Sequence, residues 1–290
     1  MYLADQHREM RSPRHHFKKL YGEWRIAGRR DELQREISEA LERSLTLTLF
    51  GDGGNDSVYL AREGTRNVAV VRLINPYKCE LLRWKSIRRV WAREPESAGS
   101  VPGSDSLICL NREWRLYEQL ADSGITPRPL WRTSDATVVA YLEGVRMHRL
   151  LPGLEASDWW GWIGEACRAL AKLQEYGVAH LDAKASNVIL NRESQRAHFV
   201  DLGSFPLQDQ CLPVQKAFDY LKLISSLLQI APRSLQEDGA GWFEAIDPHV
   251  PPDVREADTS QLLKRKTLRH LERSVAVRQA LAPVFSGIQP

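Results

Sequence analysis

Alternation comes first along this chain, and helical periodicity takes over later. Residues 45–50 alternate Leu and Thr, 57–61 carry Val58, Tyr59 and Leu60, and 67–73 carry Val68, Val70, Val71 and Leu73. Each stretch reads as a strand. The turns between them, 51–56 and 63–65, hold Gly51, Gly53, Gly54 and Gly64, so the three strands should form an antiparallel meander. Residues 94–104, rich in Glu, Pro, Gly and Ser, predict a loop or insertion. A helix is predicted over 107–123, with Leu110, Trp114, Tyr117 and Leu120 on one face and Gly124 as its C-terminal cap. Extended chain at 125–129 leads to a strand over 137–142 and a hinge at Glu143 and Gly144. The second half is mainly helical. Ser157 or Asp158 should cap a helix running to about Tyr176, with Trp159, Ile163, Ala166, Leu170 and Leu173 on its buried face. Further helices are predicted over 214–230 and 259–279. Strands followed by helices indicate an α+β chain.

Between those helices lies the stretch with the clearest chemistry. His180, Asp182, Lys184 and Asn187 occupy eight residues, and Asp201 and Gly203 follow. Val188, Ile189 and Leu190 read as a strand, 191–195 as a turn, and 198–200 as the returning strand. That hairpin would bring Asp201 back beside Asn187. Two carboxylates, a carboxamide and a lysine so arranged suit phosphoryl transfer from a nucleotide. Mg²⁺ takes only one or two protein oxygens, which Asn187 and Asp201 can supply. Asp182 can accept the proton of an attacking hydroxyl, and Lys184 can neutralise the transferring phosphoryl group. His180 is expected to organise the loop by hydrogen bonding, and Gly203 to permit a sharp turn. Asp219, on the following helix, is a candidate to bond the loop backbone.

The joint pattern H-x-D-x-K-x-x-N, apolar strand, then D-x-G resembles the catalytic loop and metal-binding aspartate of the protein-kinase-like superfamily. The resemblance covers about residues 45–230. It implies a bilobal protein-kinase-like fold, with a small antiparallel N-lobe sheet and a mainly helical C-lobe. The corresponding division is a basic N-terminal extension over 1–44, an N-lobe over 45–144 and a C-lobe over 145–290. It also implies ATP and Mg²⁺ as cofactors, with Gly51, Gly53 and Gly54 near the phosphates. Where kinases place a lysine on the third strand, this chain has Arg72. Arg binds phosphate bidentately but is no like-for-like replacement; Lys78 or Lys85 could reach in instead. Glu113, on the next helix, is the implied partner of Arg72, with a surface ion pair to Arg112 or Arg115 as the competing reading.

Only seventeen residues separate Asp201 from Asp219, and no A-P-E is present. That stretch is shorter than the peptide-docking segment of protein kinases. With the E-W-R-x-Y-x-x-L-x-x-x-G-I-T-P-x-P run from Glu113 to Pro129 and the D-Y-L-x-L helix, it looks most like the bacterial lipopolysaccharide-core heptose and Kdo kinases. The acceptor implied is a sugar or glycolipid hydroxyl. The alternatives are an atypical Ser/Thr protein kinase and a nucleotide-binding pseudokinase scaffold.

Net charge is only +3, but the basic residues cluster over 11–30, 78–93 and 264–278, the second run interleaved with Trp84 and Trp91. Such faces suit an anionic membrane surface; nucleic acid, admissible on charge alone, is not the expected partner. No apolar run of about 18 residues exists, and residues 1–10 lack the apolar core of a secretory signal. Four scattered cysteines form no C-x-x-C pair and suit a reducing compartment. The expected location is cytoplasmic, peripheral at the inner membrane face.

Overall fold

The computed structural model describes residues 13–52, 56–74, 104–207 and 210–289, with side chains from 27–51, 56–74, 107–207 and 210–289. The chain is α+β and divides into two compact units, Met1–Ile108 with Leu130–Val138, and Cys109–Pro129 with Val139–Pro290.

The smaller unit begins with a helix, α1 (Pro13–Ala40), followed by the expected meander of β1 (Thr46–Asp52), β2 (Asp56–Glu63) and β3 (Arg66–Ile74). After α2 (Ser104–Gln119), strands β4 (Pro129–Arg132) and β5 (Ala136–Ala140) extend the sheet to the order β1-β2-β3-β5-β4. The period of two sorts β3 cleanly. Ala69, Val71 and Leu73 are buried, while Val70 and Arg72 share the other face. Tyr59, Ala61 and Val138 join them, and so do Leu33 and Ile37 from α1. The helix at the start of the chain, which the strand pattern gave no reason to expect, therefore completes the sheet's core. Each such fully buried Leu or Ile is worth about 1.5–3 kcal/mol. Arg29 fixes the same helix by donating to both carboxylate oxygens of Asp135, at 2.8 and 2.9 Å, and to Glu36 at 2.8 Å.

In the larger unit, β6 (Val145–Arg146), β7 (Val188–Asn191) and β8 (Arg196–Phe199) form a second, three-stranded antiparallel sheet. The helix α3 (Ala156–Glu175) packs on β8, and α4 (Leu212–Leu228) packs against α3 and the 3₁₀ turn that leads into β7. The apolar face read from the sequence of α3 is the buried one, since Trp159, Ile163, Ala166, Leu170 and Leu173 are all inaccessible. Gly144 is required where it stands. Its φ is +144°, and a Cβ there would lie 2.5 Å from the Leu190 carbonyl oxygen.

The long helix expected over 259–279 is not formed. That stretch breaks into a 3₁₀ turn, Lys266–Leu268, and two short helices, Arg269–Arg273 and Val275–Leu281, with Ser274 extended between them. The reason is geometric. Leu262, Leu268, Leu271, Val277 and Leu281 are all buried, and at 3.6 residues per turn they would spread over about two thirds of the circumference of one straight helix. Breaking the helix lets each of them reach the core. Lys264, Arg265, Lys266, Arg269 and Arg273 stay exposed.

Candidate functional site

The hairpin β7–β8 pairs Val188 with Phe199, and the Val200 amide donates to the Asn187 carbonyl at 3.0 Å. Asn187 and Asp201 are thereby held at the same end of the hairpin, as the spacing anticipates. The chain enters through a single 3₁₀ turn, Ala185–Asn187, fixed by the Asn187 amide on the Lys184 carbonyl at 2.7 Å and the Ala185 amide on Ser226 Oγ at 2.8 Å.

Two residues hold left-handed backbone that is costly for an L side chain. Leu181 and Asp201 both have φ of +67°. Such conformations persist where their surroundings over-determine them, and both are held. Asp219, on α4, is fully buried and accepts the amides of His180 at 2.7 Å and Leu181 at 2.6 Å. The Asp201 amide donates to Tyr117 Oη at 3.2 Å, and that hydroxyl donates to Glu113 Oε1 at 2.9 Å. Gly203 is not the source of the turn, contrary to expectation, because the left-handed residue is Asp201. Its lack of a side chain admits the Cys109 carbonyl, which would lie 3.3 Å from a Cβ.

His180 is an organiser. It is fully buried with its ring edge-on to Phe199, its Nδ1 receives the Asp182 amide at 3.3 Å, and its Nε2 faces the Val200 carbonyl at 3.1 Å. These partners assign the neutral Nε2–H tautomer. Burial pushes its pKa down to about 4, against the pull of Asp182 and Asp201. Burial also pushes Asp219 up to about 7, opposed by the two amides it accepts and by Lys222.

Asp182 is the centre of the constellation. Its Oδ2 accepts from Lys184 Nζ at 2.6 Å and Asn187 Nδ2 at 2.9 Å, while its Oδ1 lies 2.5 Å from Lys222 Nζ. Burial alone would raise its pKa, but the two ammonium groups outweigh that and hold it below the usual carboxylate range. Tyr117 is pushed well above its ordinary pKa, first by burial and then by the Glu113 charge, so it stays a hydrogen-bond donor. Arg146, at the start of the small sheet, donates to the Ser186 carbonyl at 2.6 Å.

The larger unit therefore gathers His180, Asp182, Lys184, Asn187, Asp201 and Asp219 around one loop, with Glu113 tied in through Tyr117. Glu113 is buried, 3% exposed, so it is not a surface ion-pair residue. In the smaller unit, Arg72 Nε donates to Asp56 Oδ2 at 2.6 Å, a diagonal cross-strand contact in the β2–β3 register. Gly51, expected in the turn, lies within β1 opposite Val58, just past a register shift at Phe50. Among the described residues no neighbour lies within 4 Å of where its Cβ would be. Gly53, Gly54, Lys78 and Lys85, with the basic run over 78–93, lie outside the described residues.

Sequence reading missed Lys222, Tyr117 and Arg146 as members of this site. For Lys222 a signal was present: it stands three residues after Asp219, on the same face of α4.

Among the described residues no three His, Cys, Asp or Glu side chains gather as a metal cluster. Mg²⁺ would not require one, since it is bound through one or two protein oxygens together with substrate phosphates and water. The donors fit that pattern. No hydrogen bond among the described residues occupies Asn187 Oδ1, because the side chain's contacts run through its Nδ2. Asp201 offers a carboxylate at the same end of the hairpin.

No protein-family model matches this sequence, and no curated protein is found similar to it. No helix among the described residues is long and apolar enough to cross a membrane.

Proposed function

We propose that this chain is a bilobal kinase of the protein-kinase-like superfamily, transferring the γ-phosphoryl group of ATP to a sugar hydroxyl of a membrane-borne glycolipid. This is the activity of the lipopolysaccharide-core heptose and Kdo kinases that it resembles. The observation that carries the reading is the ionised Asp182, buttressed by Lys184 and Asn187, at the foot of the hairpin that ends in Asp201. In this reaction the acceptor oxygen bonds to the γ-phosphorus, and the bond to the β–γ bridging oxygen breaks. ADP leaves with the electron pair, and the hydroxyl proton passes to Asp182. Lys184, half-exposed, is free to turn from Asp182 toward the phosphoryl oxygens. Bound through Asn187 Oδ1 and Asp201, Mg²⁺ would supply charge neutralisation for the phosphates. In this reading Gly51, near the end of β1, lets the backbone of its strand approach the phosphates closely, and Arg72 stands for the usual phosphate-binding lysine.

The acceptor assignment rests on the seventeen residues between Asp201 and Asp219, too few for a peptide-docking segment, and on the exposed cations of 264–273. Those cations stand outside a row of buried leucines and suit peripheral attachment to anionic lipid. Incubation with γ-labelled ATP, with and without Mg²⁺, against core glycolipid and against a protein extract tests both assignments. Mg²⁺-dependent label in the glycolipid is expected. Label in protein alone removes the glycan acceptor, and no label in either removes the kinase.

A further inference from the structure

Asp182 has four lone-pair positions on its two carboxylate oxygens. With Lys184 and Asn187 in place, both positions on Oδ2 are used. On Oδ1 the only contact among the described residues is Lys222. An acceptor hydroxyl that docks while Lys184 still holds Oδ2 therefore meets Oδ1, the same oxygen that Lys222 touches. The Lys222 ammonium is anchored on three sides: Asp182 Oδ1 at 2.5 Å, the Leu181 carbonyl at 3.3 Å, and the Phe218 ring, whose centroid is 5.5 Å away. It is also the better buried of the two lysines on Asp182, its side chain 16% exposed against 39% for Lys184. One turn earlier on α4, Asp219 holds the amides of His180 and Leu181. One face of one helix thus grips the strained His180–Asp182 segment by its amides, a carbonyl and the carboxylate itself.

We propose that Lys222 is a positioning residue for phosphoryl transfer, resting on the kinase reading above. It fixes Oδ1 of Asp182 toward the acceptor hydroxyl and remains as the carboxylate's counter-ion when Lys184 turns to the phosphoryl group. Misplacing a reacting group by about 1 Å can cost about 10²-fold in rate, so that is the expected loss when Lys222 is removed. Nucleotide contacts are not involved, so the loss should fall on kcat.

The test uses the full chain with Mg²⁺ and ATP, with water as acceptor for ATP hydrolysis and glycolipid as acceptor for transfer. Lys222→Met should lower kcat about 100-fold and leave KM for ATP close to that of the parent. Lys222→Arg should recover part of the loss, and n-propylammonium, which replaces the atoms missing in Lys222→Ala, should restore turnover in a saturable way. A lysine needed only for folding would show neither the kcat-only loss nor the amine rescue, and circular dichroism with thermal unfolding on each variant keeps the two apart. Parental turnover in folded Lys222→Met, or a loss that appears in KM for ATP alone, overturns the inference while the kinase reading stands. A parent that neither hydrolyses ATP nor transfers phosphate overturns both.

Discussion

The loop around Asp182 and the β1–β3 meander carry the two halves of one expected motif, yet they are built on different principles. In the loop every group has several partners: Asp182 meets three side chains, Asp219 holds two amides, and Leu181 and Asp201 are pinned in left-handed backbone. The meander is built by strand pairing and by an apolar face that α1 completes. Its candidate side chains are less embedded. Among the described residues nothing lies within 4 Å of a Cβ at Gly51, and Arg72 lies on the half-exposed face of β3 beside Asp56. Networks in low dielectric make each member costly to lose, whereas a partly exposed pair contributes little. Substitutions should therefore separate the two regions sharply.

The largest effect is expected at Asp182. If Asp182 is the general base, Asp182→Asn keeps the shape and loses the base, and general-base removal costs typically about 10²–10⁴ in rate. Labelled ATP transfer measured with purified parent and variant checks this. Transfer undiminished in the variant would show that the loop is scaffold rather than catalyst. Next is Asp219→Ala, which leaves two buried amides without an acceptor at a strained turn. Each such orphan costs about 1–3 kcal/mol, so urea unfolding should show a loss of about 2–6 kcal/mol, and turnover should fall with it.

The same loop sets a pH signature. The folded pKa of His180, about 4, lies below its unfolded value, so its contribution to stability is present above about pH 6.5 and is lost as pH falls toward 4. Asp219 runs the other way. Its folded pKa of about 7 lies above the unfolded value, so its effect is to reduce stability as pH rises from about 4 to 7. Between pH 4 and 6.5 the two slopes oppose each other in the parent. Asp219→Asn removes one of them, so stability in that variant should fall with acidification by about 2–3 kcal/mol more than in the parent. Urea midpoints at pH 4.5, 5.5, 6.5 and 7.5 read this directly, and parallel curves for the two proteins would contradict it.

How much of this was legible in the sequence follows from how local each cause is. The five-residue spacing of Asp182 and Asn187, and the hairpin that returns Asp201, are determined by short-range geometry, and the structure forms them where the pattern put them. The buried faces of β3 and α3 follow from periods of 2 and 3.6. What escaped notice depends on distant partners. Leu33 and Ile37 have a reason to be helical only because a sheet lies over them. Lys222 matters only because α4 crosses beneath the loop. The helix expected over 259–279 fails because its buried residues lie on incompatible faces, which basic composition conceals. Gly51, expected in the turn, instead lies within β1 opposite Val58, since a motif fixes spacing but not where a strand ends.

The smallest effects should therefore come from the meander, and they sharpen the contrast most. A double-mutant cycle on stability between Arg72→Met and Asp56→Asn should give a coupling of about 1 kcal/mol, since the Asp56 side chain is only 11% exposed but that of Arg72, at 26%, is partly screened by solvent. Asp182 and Lys222 should couple more strongly, because both side chains are only 16% exposed and removing either leaves a desolvated charge. Nucleotide affinity supplies the functional counterpart. If Arg72 serves the phosphates, Arg72→Met weakens ATP binding, while Asp56→Asn, which removes only the Asp56 charge from beside the guanidinium, leaves binding unchanged or tighter. Equal weakening by both substitutions would mean that the pair acts only to hold β2 against β3, and that the phosphate-binding cation lies elsewhere in the chain.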